Sequence, residues 1–114
     1  MDANSTLGRV PGEAVPGTVE VILEESRVLV LLAGEVDADL SADLAEAAHA
    51  VTESGLPVDI DVSSVTFMDS SGVAFLARVA GSAGRRTRLL HPPASLRFLL
   101  DVTRIGELVE IVTD

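Results

Sequence analysis

From Thr18 onward, apolar and polar positions recur with periods that identify the elements they build. Val19, Val21 and Leu23 alternate with Glu20, Ile22 and Glu24, which predicts a strand with one face mostly wet. Ser26-Arg27 supplies a turn. The unbroken apolar run over residues 28–33 predicts a second strand buried on both faces, because a half-exposed strand would carry polar side chains at alternate positions. Residues 34–39 follow as a polar loop. Wound at about 3.6 residues per turn, Leu40, Leu44, Ala47, Ala48 and Val51 fall on one arc, an amphipathic helix with Glu46, His49 and Glu53 on its outer side. Gly55 and Pro57 stop it. Val58-Asp59-Ile60-Asp61-Val62 alternates again as a third strand.

After a connection over residues 63–68, a second helix is predicted to begin near Asp69-Ser70-Ser71-Gly72 and to run to about residue 82, since Asp and Ser are both favoured N-caps. Val73, Phe75, Leu76, Val79, Ala80 and Ala83 cover most of its circumference, so it is largely buried; Ala74, Arg78 and Gly81 form the wet strip. Gly84-Arg85-Arg86 turns the chain into a short strand over 87–91, closed by Pro92-Pro93. Ser95 can cap a third helix over 96–102, and residues 108–112 supply the last strand. The order β-β-α-β-α-β-α-β predicts an α/β domain: one mixed sheet with helices packed against it through right-handed crossovers. Residues 1–17 mix Gly8, Pro11, Gly12, Pro16 and Gly17 with polar side chains and lack an apolar period, so they read as a flexible N-terminal tail before a domain over 18–114.

Composition narrows the function. A chain of 114 residues, 47% apolar and 23% charged, suits one folded domain. Eighteen acidic against eight basic side chains leave a net charge of −10, which repels phosphate backbones and anionic lipid, so neither nucleic acid nor membrane is an expected partner. The absence of cysteine removes disulfides and thiolate metal sites. The first residues lack a signal peptide's basic and apolar regions, and no apolar run approaches a membrane span, which points to a cytoplasmic protein. His49 and His91 have no partners at metal-ligand spacing, and a chain without lysine has no Walker-type phosphate loop. No metal, cofactor or catalytic residue is therefore expected.

The one constellation with chemical promise is Asp69-Ser70-Ser71-Gly72 at a strand-to-helix junction. A hydrolase elbow would place glycine two residues before the serine; Met68 stands there instead, and neither histidine is placed as its base. A serine at a helix start is also accessible to a kinase, and a phosphate there would meet free backbone N–H groups and the positive end of the helix dipole. It would add about −1.5 to −2 charges beside Asp69 and Asp37, pushing off an acidic or tightly packed partner. Spacing alone favours plain capping over this switch.

The run Asp61-Val62-Ser63-Ser64-Val65-Thr66-Phe67-Met68-Asp69-Ser70-Ser71-Gly72-Val73-Ala74-Phe75-Leu76 closely resembles the signature of STAS-domain anti-sigma factor antagonists. Gly34-Glu35-Val36-Asp37 is similar to the family's turn after the second strand, and residues 96–108 to its third-helix region; the likeness covers about 18–112. The resemblance implies a STAS-like mixed sheet. It also implies that Ser70 is phosphorylated by an anti-sigma factor that is itself an ATP-dependent serine kinase, and that a serine phosphatase removes the phosphate. The unphosphorylated form would bind the anti-sigma factor and release the sigma factor. Asp69 then matches the acidic residue before the acceptor, Asp37 the neighbouring acidic loop, and Ser71 an adjacent cap. On local grounds Asp69 and Asp37 read equally well as cap and turn residues. With Gly72, and with Arg78 set by the helical wheel along the border, these residues form the expected partner surface. Family members commonly carry a further helix after the last strand, where little sequence follows Val112 here. The competing reading is a STAS adaptor subunit of a transporter complex, without phosphate turnover on Ser70.

Overall fold

The computed structural model describes residues 15–81 and 86–113. Five strands and three helices follow the expected order: β1 (Thr18–Leu23), β2 (Val28–Val36), α1 (Ser41–Ser54), β3 (Val58–Met68), α2 (Ser70–Ala80), β4 (Thr87–Leu90), α3 (Ala94–Thr103) and β5 (Glu110–Val112). Short 3-10 turns, Ala38–Leu40 and Ile105–Glu107, precede α1 and β5. The strands lie side by side in chain order in one mixed sheet. β1 pairs antiparallel with β2 through a hairpin, and every later pair is parallel, as helical crossovers require.

Because each crossover steps to the next strand in the same direction, crossovers of one hand deliver all three helices to one face of the sheet. Burial follows this geometry. Val28, Val30, Leu32, Val36, Ile60, Val62 and Leu89 point into one core with Leu44 and Val51 of α1, Leu76 and Val79 of α2, and Leu100 of α3. Leu29, Leu31 and Ala33, on the other face of β2, remain half-buried. The all-apolar run expected to be buried on both sides is thus fully buried on one only, since among the described residues no helix covers its second face.

Several boundaries also differ, the last strand beginning at Glu110 and not at residue 108 because Leu108 closes the 3-10 turn before it. β2 continues through Gly34-Glu35-Val36, which the polar residues had suggested as loop. The expected connection over 63–68 is the second half of β3; it keeps pairing with β2 through shifts of register that let exposed Ser63, Ser64, Thr66 and Phe67 alternate irregularly with buried Val65 and Met68. Ser95 lies inside the first turn of α3 and does not cap it; Pro93, extended at φ −65°, occupies that position. The end expected for α2 and its Ala83 lie outside the described residues, as does the tail as far as residue 14. Val15 and Pro16 are described: the Glu35 N–H donates to the Val15 carbonyl at 2.9 Å, and Pro16 bridges to Glu35. Among the described residues, no helix is long and apolar enough to cross a membrane.

On the helix-free face one register row reads Leu29, Asp59, Arg88, Glu110 across four strands. Asp59 is buried there, 3% exposed. Arg88 clasps it with two bonds, Nε to Oδ1 at 2.8 Å and Nη2 to Oδ2 at 2.7 Å, and Arg27 Nη1 donates to Oδ2. Glu24 holds Arg27 from the hairpin at 2.7 Å. The Arg88 hydrogen bonds lower the Asp59 pKa below the usual carboxylate value against the opposing effect of burial, and Arg27 adds to them. The carboxylate thereby ties the start of β2, β3 and β4 together. Its stabilisation is complete above the unfolded carboxyl value of about 4 and is lost as pH falls through the lower folded value. We expect Asp59→Asn to lose about 1–3 kcal/mol at neutral pH. In urea titrations between pH 2 and 7 the variant should also show a flatter acid limb than the wild type.

Candidate functional site at the strand ends

The parallel pair β2–β3 ends at Val36 opposite Met68, and the chain leaves both strands at an aspartate. The Asp69 N–H donates to the Val36 carbonyl at 3.1 Å, extending the ladder by one bond and holding the two exits together. Each aspartate then caps the helical turn next in the chain. Asp37 Oδ1 accepts from the Asp39 N–H at 3.1 Å, and its carbonyl accepts from the Leu40 N–H at 2.9 Å, starting the turn into α1. Asp69 Oδ1 accepts from the Ser71 N–H at 2.8 Å, and its carbonyl takes the Gly72 and Val73 N–H groups at 3.1 Å each.

The cap of α2 is therefore Asp69, and Ser71 supplies a donor to it. Ser70, the first residue of α2, is exposed; Ser71 is half-buried behind it. Asp69 engages the N–H groups of Ser71, Gly72 and Val73, so a phosphate on Ser70 would lie beside this carboxylate and compete with it for the Ser71 N–H.

Gly72 belongs to the expected surface only indirectly, because it is buried. A Cβ there would lie 2.4 Å from Met68 Cγ and 2.9 Å from both Met68 Sδ and Val36 Cγ1. Its bare Cα lets the first turn of α2 lie against the last residues of β2 and β3, and so sets the height of Ser70 above the sheet. Arg78 lies two turns along α2. With Ser71, Ala74 and Phe75 it lines a hollow of about 290 Å³ against Ser41, Leu44, Ala45 and Ala48 of α1. One groove thus joins Ser71 to Arg78. On the other side of the strand ends, Glu35, Asp37, Asp39 and Asp43 surround a hollow of about 340 Å³, which makes this end of the molecule acidic.

Neither histidine lines these hollows. His49 is exposed on α1; His91 closes β4, its N–H donating to the Val112 carbonyl at 2.7 Å. No cluster of three or more metal-ligating side chains occurs among the described residues. Sequence patterning missed an exposed pair of aromatics near the site, Phe67 and Phe98. The available signal was that Phe98 interrupts the polar side of α3, between Arg97 and Asp101 in an otherwise solvated strip.

A one-sided mixed sheet with an exposed serine at the start of α2, where two parallel strands end, defines a small α/β domain. The model for the family described as "Mlab, STAS domain" matches residues 20–110, and the chain belongs to this STAS-domain family. Solved structures agree in fold. An anti-sigma factor antagonist from Mycobacterium paratuberculosis superposes with a TM-score of 0.71 at 22% identity, over 87% of each chain. The anti-sigma factor antagonist SpoIIAA in its unphosphorylated form superposes with a TM-score of 0.58 at 26% identity, over 87% of this chain and 90% of that one. The phosphorylated form of the Bacillus cell fate determinant SpoIIAA reaches 0.60 at 23% identity, over 87% and 93%. No curated protein matches the chain in sequence.

The cap and the close approach can be separated by mutation. Asp69→Ala should lower stability by about 0.5–2 kcal/mol, whereas Asp69→Asn, which keeps the acceptor, should stay close to wild type. Gly72→Ala should cost about 1–3 kcal/mol, because Met68 and Val36 must move. Chemical denaturation of the three variants measures all of these.

Proposed function

We propose that the chain is an anti-sigma factor antagonist whose partner binding is switched by phosphorylation of Ser70. Unphosphorylated, it binds an anti-sigma factor that is also a serine kinase and so frees the sigma factor; phosphorylated, it lets go until a serine phosphatase resets it. The observation that carries this reading is the exposure of Ser70 as the first residue of α2, on an acidic end of the fold and within Asp69-Ser70-Ser71-Gly72. The solved forms of SpoIIAA, one unphosphorylated and one phosphorylated, support it by analogy.

Ser70 Oγ would attack the γ-phosphorus of the partner's ATP and pass its proton to a base on the kinase, while the bond to the β-phosphate oxygen breaks and ADP leaves. The product then sets a phosphoserine against Asp69 and against the partner's own anionic nucleotide. Like charges at close range, with the Ser71, Gly72 and Val73 N–H groups already engaged by Asp69, convert contact into repulsion. Asp37 and Arg78 border this surface, and Gly72 sets its height. The chain is a substrate and ligand in this scheme, without turnover chemistry of its own, acting in the cytoplasm where sigma factors work.

The test is incubation with candidate anti-sigma factor kinases and ATP, followed by mass spectrometry and binding titration. Wild type should gain one phosphate on Ser70 and Ser70→Ala none, while Ser70→Asp should bind at least about tenfold more weakly than Ser70→Ala. Equal affinity for wild type, both variants and the phosphoprotein would overturn the reading. Capture of a transporter ATPase, with Ser70 never labelled, would establish the adaptor role in its place.

A further inference from the structure

On the Asp37 side of Ser70 the surface is acidic, made by Glu35, Asp37, Asp39 and Asp43. Beside it lies a surface of the opposite character. β4 is short, and its pairing with β3 ends at Asp61 opposite Leu90, so β3 runs on past it to Met68. α3 crosses beside this overhang. Val65, Thr66 and Phe67 of β3 face Ser95, Phe98 and Leu99 of α3 across a groove of about 240 Å³.

Phe67 is 51% exposed and Phe98 72%; Val102, one turn further along α3, is 62% exposed. Two of the chain's three phenylalanines therefore face water in one groove, while Phe75 is buried. Contiguous exposed apolar side chains of this kind mark an interaction surface, and aromatic anchors dominate binding energy where they become desolvated. Two observations identify the occupant. The groove is continuous with the switch, since Met68 both lines it and packs beneath Gly72, two residues from Ser70. A second copy of the chain would bring another net charge of −10 to the same place, which opposes self-association and favours a partner that is less acidic.

We infer that the groove between the β3 overhang and α3 seats an apolar segment of the anti-sigma factor kinase, with Phe67 and Phe98 as its anchors. This rests on the reading of Ser70 given above. The groove supplies phosphate-independent affinity, and the acidic strand ends supply the phosphate-sensitive part. Separating the two allows a single phosphate to act against a constant attraction.

The experiment titrates wild type, Phe98→Ser, Phe67→Ser and Ser70→Asp against candidate anti-sigma factor kinases, with phosphorylation kinetics and sedimentation on the same samples. Phe98 is exposed enough that its replacement should leave the fold intact, which circular dichroism checks. Each Phe→Ser variant is expected to bind at least about tenfold more weakly and to be phosphorylated with a KM raised by a similar factor at unchanged kcat, the mark of docking rather than chemistry. If Ser70→Asp weakens binding and the Phe→Ser variants do not, the groove proposal falls and the Ser70 reading stands. If the Phe→Ser variants change only self-association, a second copy fills the groove and the proposal is overturned. If no kinase binds the wild type, both fall.

Discussion

The contact on which the site depends is the close approach of Gly72 to Met68 and Val36. Where two parallel strands end, the next helix must turn back over the sheet without delay, and a side chain at the third residue of α2 would hold it off. With only hydrogen on that Cα, the helix start settles directly on the strand ends. The Asp69 N–H joins the β2 ladder and its carboxylate caps the first turn. Ser70 then has one place to go, outward. The site is therefore a consequence of packing: the hydroxyl is presented because the residues on either side are committed to the fold.

Charge is distributed with the same economy. At the start of the parallel strands a buried carboxylate is held by two arginines, and the hairpin adds Glu24 to Arg27. At the strand ends, acidic side chains collect around the exits without such compensation from described arginines in the same hollow. One end is bound internally and the other is left to act on whatever approaches. A phosphate on Ser70 would deepen an existing negative field.

Much of this was legible in the chain. Periodicity together with turn and cap signals located five strands and three helices, and the wheel of α2 separated its buried residues from Ala74 and Arg78. Failures have physical causes. The continuation of β3 was hidden because Ser63, Ser64 and Thr66 lie on shifted register positions where polar side chains reach solvent. Alternation in β3 did not distinguish Asp59 from Asp61; the partners of Asp59, Arg27 and Arg88, are brought to it only by pairing of strands far apart in sequence. Gly72 looked like part of a surface motif, yet its reason for being glycine lies in the core. The apolar groove depended on the relative lengths of β3 and β4, a quantity that no local window contains.

Gly34 adds a practical constraint on handling the molecule. It lies in β2 at φ +72°, and a Cβ there would stand 2.4 Å from the Pro16 carbonyl oxygen, so the polypeptide entering from the amino terminus is strapped across the end of β2. That strap meets Glu35, two residues before Asp37. A bulky group joined directly ahead of Val15 would consequently emerge at the strand ends, on the Asp37 side of Ser70. The opposite terminus, leaving from β5 at the far border of the sheet, is the attachment point that keeps the serine open to view.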